Sequence, residues 1–85
     1  METRERVIAI LAEQALRDPG EIRDDMTFAE LGLDSLGLVE TLYALEEGCA
    51  VAIPFNANEP MAGDFDISSV GAVVAGVERL VAARG

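Results

Sequence analysis

The chain has 85 residues and a mass of 9.0 kDa, a size that supports one hydrophobic core and no more. Hydrophobic residues make up 51% of it and aromatics only 5%, so the core draws on Leu, Val, Ile and Ala, which favours a small helical bundle. The net charge is −10, and a single cysteine with no histidine excludes both an intramolecular disulfide and a Cys/His zinc site.

The first predicted element is a helix from about Thr3 to Arg17, with Val7, Ile8, Leu11, Ala15 and Leu16 on one face. Pro19-Gly20 is read as its stop. From Glu21 to Ala29, Ile22, Met26 and Phe28 stand among acids, the pattern of a loop whose apolar side chains plug into a bundle. A second helix is predicted from Ser35 to Glu47 or Cys49, started by Asp34 or Ser35 and closed by Gly48. The segment AIPFNANEPMAGDFD reads as a long loop with room for one short helical turn. A last helix is predicted from Ser68-Ser69 to about Ala83, with Val70, Val73, Val74, Val77, Leu80 and Val81 on its apolar face. Valine and glycine are poor helix formers, so packing must hold this helix. The expected architecture is all-α, three main helices in a single domain over residues 1–85.

All six basic residues are arginines, and none lies between Arg23 and Arg79. That window is acidic throughout, so its potential repels nucleic acid and anionic lipid and attracts basic protein surfaces. The longest apolar run, near Val70 to Val77, is far short of the roughly 20 residues a bilayer span requires. The start METRERVIAI lacks the basic-then-apolar layout of a secretory signal. These features predict a cytoplasmic protein without membrane or nucleic-acid partners, and the high like charge favours a monomer.

The second helix has more apolar residues than one buried stripe needs. Leu38, Leu42, Leu45 and Cys49 form one row, and Leu36, Val39 and Tyr43 form another. If the first row faces the core, the second lies at the surface beside Glu40, Glu46 and Glu47, a docking face for a groove rimmed by Arg or Lys. The alternative is a central helix with both rows buried. Ser35 falls at the helix start, where free N–H groups and the macrodipole favour a phosphate, and Asp34 both caps the helix and offers a hard oxygen ligand to a divalent cation. By itself Asp-Ser is an ordinary N-cap.

Read as a whole, Leu31-Gly-Leu-Asp-Ser-Leu-Gly-Leu-Val-Glu40, followed by Ala44-Leu-Glu-Glu47 and Ile53-Pro54, resembles the acyl carrier protein family, and the resemblance covers nearly the full chain. It implies that Ser35 is the attachment point of 4′-phosphopantetheine, delivered from coenzyme A by a phosphopantetheinyl transferase, and that Asp34 helps hold the magnesium of that reaction. It also implies that Leu36, Val39, Glu40, Tyr43, Glu46 and Glu47 dock partner enzymes, among them acyl- or aminoacyl-loading ligases, ketosynthases and acyltransferases with basic surfaces. Acyl intermediates would ride as thioesters in fatty-acid, polyketide or related secondary-metabolite biosynthesis.

Three departures stand out: Gly37 where an acid is common, Gly48-Cys49 where an acid and an aromatic are common, and an unusually long stretch from Phe55 to Ser69. They point to a specialised stand-alone member, with a less filled core near Gly48 and Cys49. An aminoacyl or peptidyl carrier is the nearest alternative, although such carriers more often show Gly-Gly-x-Ser and are less acidic. An unmodified acidic docking module is the other. An enzyme is disfavoured because the chain has neither His nor Lys to activate Ser35 or Cys49 as a nucleophile. Acid pairs such as Glu46-Glu47 and Asp64-Phe-Asp66 lack the ligand run of a calcium loop and read as solvated surface.

Overall fold

A computed structural model describes residues 2–55 and 65–84. Three helices carry the described residues, α1 (Thr3–Ala15), α2 (Ser35–Cys49) and α3 (Val70–Arg84), with a single 3-10 turn at Pro19–Glu21 and no strand among them. Helix α1 packs against both α2 and α3. The buried faces follow the periodicity: Val7 and Leu11 on α1, Leu38, Leu42, Leu45 and Cys49 on α2, and Val70, Val73, Val74 and Val77 on α3. Ile22, Met26, Phe28 and Leu31 from the first connection, with Ile53, Phe65 and Ile67 from the second, complete the same core. These loop plugs let three short helices enclose an interior that two helix pairs alone would leave open.

Helix α1 ends earlier than its apolar pattern suggests. Leu16 adopts the left-handed conformation (φ 57°) and is 92% exposed, so it leaves the apolar face on which the spacing puts it. Its N–H reaches the Glu13 carbonyl and the Arg17 N–H reaches that of Ala12, a helix-ending pair of bonds that turns the chain before Pro19 is met. Helix α2 ends at Cys49, the farther of its two predicted ends, but Gly48 is not what closes it: Gly48 lies inside, and Ala50 (φ 54°) makes the left-handed closure, with the Val51 N–H on the Glu46 carbonyl. Gly48 stays helical because it is a packing residue. A Cβ there would stand 2.5 Å from Ile10 Cδ1, so the missing side chain brings α1 close to α2. The thin core filling expected nearby is not found: Ile10 fills the space at Gly48 and Cys49 is buried, and the 220 Å³ recess bordered by Arg6, Gly48, Cys49 and Arg84 is a half-open, mainly polar cleft at the surface.

Two arginines close the foot of the bundle. Arg6 from α1 donates to the Gly48 carbonyl at 3.0 Å, and Arg84 from α3 donates to those of Cys49 and Ala50 at 2.8 and 2.7 Å. They satisfy carbonyls that the end of α2 leaves without partners and complement its negative pole. At α3, Ser69 is the cap, its Oγ accepting the Ala72 N–H at 3.1 Å. The Val70 and Gly71 N–H groups donate to the Met26 and Asp24 carbonyls at 2.9 Å each, which ties the first connection to the head of α3. The predicted loop with room for a helical turn falls largely on residues 56–64, outside the described residues.

Candidate functional site at the head of helix α2

The approach to α2 is built by a turn. The Thr27 N–H donates to Glu30 Oε1 at 2.8 Å and the Glu30 N–H to Thr27 Oγ1 at 3.1 Å, a reciprocal box that winds Phe28 to Leu31 into one helical turn. Gly32 closes it at φ 81°, with its own N–H on the Ala29 carbonyl and the Leu33 N–H on that of Phe28. That left-handed position explains the glycine three residues before the serine. The Thr-x-x-Glu spacing of Thr27 and Glu30 is the signal in the sequence that points to this turn.

The chain then reaches Asp34, the N-cap of α2, whose Oδ1 accepts the Gly37 N–H at 2.7 Å. Because Asp34 does the capping, Ser35 takes the first helical position with its side chain exposed. A phosphate ester on Ser35 would lie at the helix head, where free N–H groups and the positive pole favour an anion. Gly37 leaves the surroundings of the cap slim, since a Cβ there would meet Asp34 Oδ1 and Leu33 Cδ2 at 3.3 Å each. Its carbonyl accepts the hydroxyl of the fully buried Thr41 at 2.7 Å.

Beside Ser35 lies a half-open, mainly apolar cavity of 320 Å³, walled by Phe28, Leu33, Leu38 and Ile67, with Ser68 on its border. An exposed serine at a helix head next to an apolar recess suits a polar tether ending in an apolar load. The residues present therefore fit a phosphodiester-linked arm.

The two apolar rows of α2 separate. Leu38, Leu42, Leu45 and Cys49 are buried, while Leu36 is 67% and Tyr43 54% exposed, with Val39 half-buried between them. The alternative with both rows buried does not hold. Glu40 and Glu47 are exposed, but Glu46 is half-buried and its Oε2 accepts the Ile53 N–H at 2.7 Å. Glu46 thereby anchors the segment after α2, and the sequence offered no sign of this difference from Glu47. Cys49 is buried, and that burial pushes its thiol pKa up against the opposing pull of Arg6 and Arg84, which keeps it a poor nucleophile. Asp66 accepts the Ser68 N–H at 2.9 Å, and its hydrogen bonds to Ser68 hold its carboxyl below the usual range. Asp64, its companion in the acid pair, is outside the described residues.

Comparisons with known proteins agree with one another. The family model described as "Phosphopantetheine attachment site" matches residues 5–76. The acyl carrier protein of Prochlorococcus marinus (strain MIT 9515) is 41% identical over 59 residues, which span 68% of this chain and 74% of that protein. No solved structure matches the chain. On the strength of the family match and this relative, the chain belongs to the acyl carrier protein family: it is a carrier and not an enzyme, and its working group is a covalently attached 4′-phosphopantetheine.

Proposed function

We propose that Ser35 bears the phosphopantetheine arm and that the chain presents acyl intermediates, held as thioesters, to partner enzymes of fatty-acid, polyketide or related secondary-metabolite biosynthesis. The observation that carries this reading is the exposed Ser35 at the first position of α2, freed from capping by Asp34 and bordered by an apolar recess. In this reading Asp34 also supplies a carboxylate to the magnesium used during transfer from coenzyme A. Leu36, Val39, Glu40, Tyr43 and Glu47 form the docking face for the transferase and for loading ligases, ketosynthases or acyltransferases with basic surfaces, and Glu46 contributes by holding the adjoining segment. Gly37 and the Gly48-Cys49 pair favour a specialised carrier over a housekeeping one. A monomeric single domain suits the like charge, and the cytoplasm suits the lone unpaired Cys49.

The test is intact mass after incubation with coenzyme A, magnesium and a broad-specificity phosphopantetheinyl transferase. The wild type should gain one phosphopantetheine and Ser35→Ala none. A folded wild type that gains nothing would remove the carrier role for Ser35 and leave an unmodified docking module.

A further inference from the structure

One stripe of α2 alternates apolar and acidic side chains. Leu36, Glu40, Tyr43 and Glu47 follow the i, i+4, i+7, i+11 spacing and all four are exposed. Tyr43 thus stands between two carboxylates one helical turn away on either side. Its ring is braced by Phe55 in an edge-to-face contact, with centroids 5.3 Å apart and planes at 70°. Phe55 is itself held: it packs on the core, its N–H donates to the Ile53 carbonyl at 2.9 Å, and Ile53 is fixed by Glu46. An aromatic surface is therefore kept in place where a long side chain from outside can reach it.

The charge around it is one-sided. Glu40 and Glu47 take part in no ion pair among the described residues, and the sequence holds no Lys or Arg between Arg23 and Arg79 to neutralise them from the neighbouring segment. With no cation of this chain paired to it among the described residues, the stripe is open to one from another molecule. Arginine and lysine are not equivalent candidates. A guanidinium is planar and weakly hydrated and stacks on an aromatic face, whereas an ammonium is a compact, strongly hydrated point charge; on exposed carboxylates, where ion pairs contribute little, the two differ little.

We propose that this stripe is a seat for an arginine of a partner protein, whose guanidinium stacks on Tyr43 while Glu40 or Glu47 accepts its N–H groups. The inference rests on the docking role proposed for α2 and gives that role its chemistry: the braced ring selects arginine, and the carboxylates supply attraction without selecting between cations.

The test is a two-dimensional NMR titration of the full chain with an amphipathic peptide bearing arginines along one side, and with its lysine twin of equal length and charge. The arginine peptide should bind about two- to five-fold more tightly, the scale of one exposed cation–π contact, with the largest shifts at Tyr43 and Phe55. Tyr43→Leu should erase the preference and Tyr43→Phe should keep it, and since the site is exposed both should stay folded. Glu47→Gln should weaken both peptides alike. Equal affinity of the two peptides for the wild type, or a preference that survives in Tyr43→Leu, would overturn the inference and leave the docking role intact. No response at α2 to either peptide would overturn both.

Discussion

Asp34 holds two duties that substitution can pull apart. Its carboxylate caps α2 through the Gly37 N–H, and asparagine performs that duty equally well. Asp34→Asn should therefore keep its stability in urea denaturation, while Asp34→Ala loses about 1 kcal/mol. If the charge also serves the transfer reaction, both variants should be modified about tenfold or more slowly, the scale of one charge-assisted contact. Normal modification of Asp34→Asn would restrict Asp34 to capping. Leu16 and Ala50 present a different residue-level problem, since each occupies a left-handed position without being glycine. Leu16→Gly should raise stability by about 0.5–1 kcal/mol, because the strain removed outweighs the chain entropy that glycine adds. A loss on urea denaturation would show that the Leu16 side chain has a stabilising contact. Neither closure was legible in the sequence. Leu16 matches the apolar period of α1, and only the bonds from its own N–H and that of Arg17 take it out of the helix.

Two glycines that look alike in the sequence act differently within their helices. Gly48 faces the tip of Ile10, a flexible and half-buried side chain, whereas Gly76 faces the ring of the buried Phe65, with Cε2 at 2.6 Å and Cζ at 2.7 Å from the place of a Cβ. Alanine gains roughly 1 kcal/mol of helix propensity at either site. Gly48→Ala should be close to neutral, since Ile10 can turn aside. Gly76→Ala should lose about 1 kcal/mol net, because displacing a packed ring outweighs that gain. Equal thermal melts for the two variants would contradict this account of how Phe65 is seated. Helix existence and the buried rows were legible because 3.6-residue periodicity reports directly on burial, as the row Leu38, Leu42, Leu45 and Cys49 illustrates. Local propensity marks Gly48 as a stop because it cannot reveal that a facing helix needs the space.

Across the whole molecule the excess of acid sets the balance. A net charge of −10 meets only two ion pairs among the described residues, Arg4–Asp24 and Arg23–Asp25, both exposed and of little consequence for stability. Self-repulsion should dominate, so raising ionic strength from about 0.01 M to about 0.15 M should stabilise the fold by roughly 1 kcal/mol, or 4–8 °C in Tm. A melting temperature that stays level or falls with salt would show that local pairing outweighs the repulsion. The site was legible where the chemistry is carried by consecutive residues: Asp34 and Ser35 stand next to each other whatever the fold. It was illegible where distant segments meet, since Ile67 and Ser68 join Phe28 and Leu38 around the recess only after α3 has docked.

That meeting makes the choice of serine the central claim. The sequence has three serines, and Ser68 borders the same recess as Ser35, while Ser69 caps α3. The most direct measurement is fragmentation mass spectrometry of the transferase-modified protein, read for the residue that bears the phosphopantetheine. The whole of the added mass should fall on Ser35 and none on Ser68 or Ser69. Modification at either of those two would contradict the claim.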